Sequence, residues 1–393
     1  MVPILRLFII LVQRALSCAR DKAMRHDKLT LMLPWEDIDA QAQQQILTVL
    51  ELPELTRLVI MPDVHAGYDL CIGGVALLRG TVCPAFVGYD IGCGMCHVNT
   101  GQSLAAFGLD AKKNREELFA LLRQRIPAGL GKGHTSDGGM IFRSACGDRA
   151  LEKTLAPLAA AQLGTLGSGN HFLELGVNAA GRLGVTVHSG SRRCGYDIAA
   201  SYMKKGRLLP VDSALGQAYL ADMQWALDFA LENRRRMLEQ VLRALGLAPA
   251  QCAALMHSSD FINETHNHAL PVGQPARLVL HRKGATPAEK GQAGVIPANQ
   301  RDGVYITVGL GNDAYLSSAS HGAGRKFSRK AAAKRGDVKE LRKLMRGIVC
   351  RDDAAVLDEA PWAYKDIGAV LRAQEGIVVD IVDHFKPVIV LKG

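Results

Sequence analysis

Six side chains could do chemistry together, His266 in a polar stretch and the other five in glycine-rich settings: Asp90, Cys93, His171, His188, His266 and His321. The first five make a mixed donor set of one carboxylate, one thiolate and three imidazoles, which suits Zn²⁺, Mn²⁺, Fe²⁺ or Co²⁺ rather than Mg²⁺ or Ca²⁺. Five ligands exceed what a single catalytic zinc uses; a bridged pair of metals would use them all. Taken singly, each has a blander reading, as a hydrogen-bonded buried imidazole or a thiol serving as a small hydrophobe.

His321 has a setting of its own. It stands in Ser318-Ala-Ser-His321-Gly-Ala-Gly-Arg325, with Lys326, Arg329 and Lys330 close behind. Gly322 and Gly324 let backbone approach a bulky ligand and let N–H groups converge on an anion. His321 could be a sixth metal ligand, but the glycines and cations suit a nucleophile beside phosphates, with a neutral imidazole holding a phosphoryl group as a phosphoramidate. Asp63 is a candidate to bond the other ring nitrogen and fix its tautomer; it could equally cap the loop after a strand.

These residues need rigid carriers, and the hydrophobic pattern supplies them. Leu58–Gly67 reads as a buried strand running into a loop and Ile72–Leu78 as another, while Cys83–Val87 reads as an apolar strand before the turn bearing Asp90 and Cys93. Val185–His188 is a β-branched strand, Ala276–Leu280 a further one, and Val378–Lys392 closes the chain. A helix is expected around Asn114–Arg125. A longer amphipathic one over Gln224–Leu245 carries Leu227, Ala230, Met237, Val241 and Leu245 on one face and Asn233–Arg236 on the other. The loop Pro127–His134 resembles a phosphate cradle but lacks the Lys-Ser/Thr ending of a P-loop. No internal repeat, linker or clear boundary appears. The expectation is one interwoven domain of mixed α/β (α+β) class over 29–393, preceded by an N-terminal extension, 1–28.

Composition agrees. The 393 residues are 48% hydrophobic and 22% charged, which is globular. A net charge of +9 favours an anionic partner, and ten Lys/Arg crowd Arg325–Arg346 against Asp337 and Glu340. An aromatic content of 5% argues against a single-strand surface built on base stacking. Nine cysteines without framework spacing suggest reduced thiols and a cytoplasmic protein. Cys93 and Cys96 form a CxxC without a second one. Val2–Val12 is apolar but broken by Arg6 and too short to span a bilayer, so no membrane partner is expected.

In order along the chain stand Met61-Pro-Asp-Val-His65, Val87-Gly-Tyr-Asp-Ile-Gly-Cys-Gly-Met95, Leu166-Gly-Ser-Gly-Asn-His-Phe-Leu-Glu174, Val187-His-Ser-Gly-Ser-Arg192, His266-Asn267, His281-Arg-Lys-Gly-Ala-Thr286, Ser318–Arg325, Ala363-Tyr-Lys-Asp-Ile367 and Leu391-Lys-Gly393. Nine motifs in this order resemble the RtcB family of RNA-splicing ligases. The resemblance implies a GTP- and manganese-dependent ligase with a central dimetal cleft. It would join an RNA 2′,3′-cyclic phosphate or 3′-phosphate end to a 5′-hydroxyl end, in tRNA splicing or RNA repair. By the family's pattern Cys93 would bridge two Mn²⁺, Asp90 and His171 completing one site and His188 and His266 the other. His321 would carry GMP, and Asn170, Phe172, Glu174, Ser318, Gly322, Ala323, Gly324 and Lys392 fall where the family contacts GTP. An activating helper protein is a further partner of the kind the resemblance allows.

Three stretches depart from the pattern. Ala66-Gly-Tyr-Asp-Leu-Cys71 replaces a Gly-x-Gly loop after His65, Arg193-Cys194 replaces a glycine after Arg192, and Ile296–Gly303 replaces an Ile-Pro-Gly-Ser-Met-Gly loop near the nucleotide. Two rival readings use the same residues: a metal-dependent phosphoesterase that trims RNA ends without ligating, and a non-catalytic RNA-binding relative.

Overall fold

The computed structural model describes residues 26–129, 131, 133–134, 149–273 and 277–393. The expected extension lies almost wholly outside them, as do Leu130 and Lys132 of the Pro127–His134 loop and the expected strand start at Ala276.

Two sheets carry the site. The first has five strands in the order Leu29–Leu31, Leu55–Tyr68, Leu70–Arg79, Leu278–Lys283, Asn267–Val272. Side chains alternate across a strand, so Leu58, Ile60, Ala76 and Leu78 face the helix Ala40–Leu50 while Val59, Met61, Val75 and Leu77 face a second core with Ile296, Ala319 and Val370. Buried on both faces, this sheet is a rigid platform.

The second sheet runs Ala293–Pro297, Val304–Gly309, Val379–Lys392, Phe172–Val177, Arg182–Ser189, Gly94–Ser103, Ile262–Thr265, with Val349–Cys350 paired off its path. Its Leu173, Leu175, Val185 and Val187 pack on the helix Lys112–Arg125 and on Met237, Leu238, Val241 and Leu242 of the long helix Ala214–Ala244. The chain supplies the first sheet from both 29–79 and 267–283 and the second from both sides of that return. This is the interwoven mixed α/β domain expected.

Local differences from the sequence reading have physical causes. Cys83–Val87 is no strand: Pro84, with its fixed φ, starts a one-turn helix, Pro84–Val87. Asp63 does not cap a loop. The strand continues unbroken to Tyr68, shifting register between Ile60 and His65, so Asp63 sits inside it. The long helix begins ten residues before the expected Gln224, where Ser213 accepts from the Gly216 amide as an N-cap.

Candidate metal and nucleotide site

Register brings the candidate ligands to one end of the second sheet. Gly94 pairs with both Ser189 and Thr265, Met95 with His188, and Phe172 with both His188 and Lys392. Cys93, His171, His188 and His266 therefore stand beside or within the last pairs of adjacent strands. The strands can close there because position 94 has no side chain: a Cβ would meet the Glu264 carbonyl oxygen at 2.0 Å.

The donors converge as the strands do. Cys93 Sγ lies 3.2 Å from His188 Nε2 and 3.4 Å from His171 Nε2; His171 Nε2 is 3.0 Å from Asp90 Oδ2, and the His188 and His266 Nε2 atoms are 3.1 Å apart. They fall into two triads sharing one sulfur, Asp90–Cys93–His171 and Cys93–His188–His266, each with its donor atoms within 4.8 Å of one another. Other ring atoms fix the tautomers: His171 Nδ1 donates to the Leu166 carbonyl (3.0 Å) and His266 Nδ1 to Asn267 Oδ1 (3.3 Å), leaving Nε2 lone pairs pointed inward.

Burial lowers the pKa of His188 and His266 well below the ordinary range and raises the Cys93 thiol well above it, with Asp90 adding to the latter. At Asp90, desolvation pushes upward, but the neighbouring His171, with Cys93 and His266, outweighs it and holds the carboxyl low. Inward donors from a half-buried carboxylate, a buried thiol and three buried imidazoles fit divalent metal ions of borderline softness, and the shared sulfur fits two.

Holding these loops in place is work the sequence reading did not assign. Asn233 and Arg234 are fully buried, not on a solvated face. Asn233 Oδ1 accepts from the Gly164 and Thr165 amides, while its Nδ2 donates to the Thr165 carbonyl, Ser189 Oγ and the Gly190 carbonyl. Arg234 Nη1 donates to the carbonyls of Gly92 and Ser189, at 2.7 and 2.8 Å, and its Nε to Asn263 Oδ1. One helix turn thus ties together the segments bearing Cys93, His171, His188 and His266.

Above the cluster opens a cleft of about 880 Å³. His188, His321, Gly322, Ala323, Gly324, Asn170, Phe172, Glu174 and Lys392 line it. Ser318 does not: it is buried, its hydroxyl accepting from Arg282 Nε and donating to the Leu316 carbonyl. The His321 ring lies 4.7 Å from that of His266, centroid to centroid, and its Nδ1 donates to Asp63 Oδ2 at 2.7 Å. Gly324, at φ 74°, lets this loop lie on the Asp63 strand, where a Cβ would come within 2.0 Å of the Asp63 carbonyl oxygen. Beside Lys392, Glu359 is an ionic centre that sequence reasoning missed: it meets Arg325 and Arg329 at 2.7 Å and Lys392 at 3.0 Å, and accepts from the Tyr364 hydroxyl. Desolvation works against its charge, yet Lys392, Arg329, Tyr364 and Arg325 together bring its pKa down to about 2. Burial keeps the nearby Glu174 carboxyl well above its usual range.

Fold and site together define a class: a mixed α/β enzyme in which a buried, sulfur-sharing ligand cluster adjoins a cation-walled cleft. A family model described as tRNA-splicing ligase RtcB matches residues 45–155 and 136–393. RNA-splicing ligase RtcB1 of Escherichia coli ATCC 25922 is 32% identical over 396 residues, covering 91% of this chain and 95% of that protein. RNA-splicing ligase RtcB of Escherichia coli K12 is 31% identical, with 91% and 95% covered, and tRNA-splicing ligase RtcB of Nanoarchaeum equitans is 31% identical, with 89% and 91% covered. The chain belongs to the RtcB family, and so to the RNA ligases. Among the described residues no helix is long and apolar enough to cross a membrane.

Proposed function

We propose that this chain is a GTP- and Mn²⁺-dependent ligase that seals RNA 2′,3′-cyclic phosphate or 3′-phosphate ends to 5′-hydroxyl ends through a guanylylated His321, in tRNA splicing or RNA repair. The observation that carries the reading is the bond between His321 Nδ1 and Asp63, beside the cluster. It commits the Nδ1 proton to the carboxylate and leaves the Nε2 lone pair as nucleophile.

Asp90, Cys93, His171, His188 and His266 would hold two Mn²⁺, which supply Lewis-acid polarisation of phosphate oxygens when bound. His321 Nε2 attacks the α-phosphorus of GTP; an N–P bond forms, the Pα–O bond breaks, and pyrophosphate leaves with the electron pair. Asp63 stabilises the imidazolium so formed. An RNA 3′-phosphate oxygen, from an end opened by water if it was cyclic, then takes the GMP and frees the imidazole. The 5′-hydroxyl attacks that 3′-phosphate, the phosphodiester forms, and GMP departs. Arg325, Arg329 and Lys392 offset negative charge along the cleft, while Asn170, Phe172, Glu174 and the backbone of Gly322–Gly324 hold the nucleotide.

Labelled GTP with Mn²⁺ tests the reading. The wild type is expected to carry acid-labile, alkali-stable GMP and His321→Ala none. An unlabelled wild type that releases phosphate from RNA ends would establish the phosphoesterase alternative instead.

A further inference from the structure

The cleft has the volume of a single small-ligand pocket. On the ligase reading, on which this inference rests, GTP and two reacting ends fill it, so the nucleotides flanking the junction must run out over the rim. The exposed aromatic side chains among the described residues are three tyrosines, Tyr68, Tyr89 and Tyr196, exposed to 55%, 37% and 47%, and they touch one another. The Tyr68 and Tyr89 ring centroids are 5.8 Å apart and tilted by 51°; those of Tyr89 and Tyr196 are 5.0 Å apart and stacked at 24°, with the Arg193 guanidinium 5.5 Å from the Tyr196 ring centre.

This ladder adjoins the reaction centre by chain connectivity. Tyr68 follows Gly67, which lines the cleft, Tyr89 precedes Asp90, and Tyr196 stands in the first turns of the helix Arg192–Lys205, just beyond Gly190, which packs on the Asp90 carboxylate. Its neighbouring carboxylates are neutralised, Asp69 by Arg207 at 2.8 Å and Asp197 by Arg193 at 2.6 Å, so neither repels a phosphate chain. Tyr68 also lies in the stretch where this chain leaves the family pattern.

We propose that Tyr68, Tyr89 and Tyr196, edged by Arg193, form a stacking platform for unpaired bases of the RNA strand next to the junction. The faces of successive rings accept bases of any sequence, and the paired guanidinium extends the stack at one end. A 5% aromatic content excludes an extended surface of this kind but not a local one, since three of eight tyrosines gather here.

The test compares Tyr68→Ala, Tyr196→Ala and the double variant with Tyr68→Phe and Tyr196→Phe, leaving Tyr89 beside Asp90 intact. Affinity for a short single-stranded RNA with a 3′-phosphate, read by fluorescence anisotropy, is expected to fall about fivefold to a hundredfold per ring removed to alanine. Phenylalanine should restore it. GMP loading of His321 without RNA should stay at the wild-type level, and KM for RNA should rise with kcat held. Wild-type RNA affinity in the double alanine variant would overturn the platform and leave the face to a protein partner. A wild type that neither takes up GMP nor binds RNA would overturn the ligase reading as well, so the two failures are separable.

Discussion

Two walls of the same cleft bury ionisable groups and balance them in opposite ways. At the cluster, burial has pushed the Cys93 thiol up and the His188 and His266 imidazoles down, so the uncharged forms are favoured and Asp90 is the one low-pKa acid. At the other wall three cations, Arg325, Arg329 and Lys392, are matched by Glu359 and, at Arg329, by Asp358 as well. Lone pairs converge without enough positive charge on one side, and positive charge is left in surplus on the other. On the proposed reading one wall receives cations and the other an anion, and His321 lines the cleft they share. Desolvated groups of both kinds are costly unless a partner arrives, and a metal nucleotide brings both partners.

The comparison breaks most completely at Cys93, the only donor common to both triads. Cys93→Ala is expected to remove Mn²⁺ binding at both sites and to cut guanylylation and ligation by about a thousandfold or more, as loss of one member of a group acting as a unit does. Metal analysis of the purified variant decides it: two Mn²⁺ per chain, unchanged, would contradict the shared-sulfur assignment. The cation wall should survive, leaving phosphate-dependent protection against thermal unfolding as in the wild type.

Glu359 is the matching point on the other wall. Glu359→Gln keeps the shape and leaves the buried Lys392 and the partly buried Arg325 uncompensated, which costs about 3–5 kcal/mol for a buried pair. The pH dependence carries the sign. The folded-state pKa of Glu359 is lowered from 4.5 to about 2, so its contribution is present above about pH 4.5 and lost as pH falls towards 2. The shift corresponds to about 3 kcal/mol. Urea unfolding at pH 7 should therefore separate wild type from variant, and the gap should narrow steadily below pH 4.5. A gap independent of pH would mean that Glu359 acts by packing alone.

How much of this could be read from the sequence depended on whether a residue's job was marked by its neighbours. All the donors but His266 were legible because glycines surround them at strand ends, and the strands at Val185–His188 and Val378–Lys392 because β-branched runs are unambiguous. Arg234 was misread because residue type was allowed to outrank phase. Leu227, Ala230, Arg234, Met237 and Val241 recur at spacings of three and four, so position 234 belongs to the buried stripe whatever stands there. A cation in that stripe is itself a signal, since burial without partners would be prohibitive. Glu359 had no local charge signal: its cationic partners lie 30 to 34 residues away in sequence and meet it only through the fold.

The finest test of the metal wall lies one bond beyond the ligands. Asn267 Oδ1 accepts from His266 Nδ1 and from the Gly284 amide, and its Nδ2 donates to the Asp90 carbonyl at 3.0 Å. One side chain thus fixes the tautomer of a ligand in one triad and the backbone under a ligand of the other. Asn267→Ala should weaken Mn²⁺ binding about 10- to 100-fold, less than loss of a ligand, because partners behind a ligand tune affinity rather than create it. Titration calorimetry should show both sites weakened. If only the site containing His266 weakened, the bond to the Asp90 carbonyl would be incidental, and the two triads would be held by separate parts of the fold.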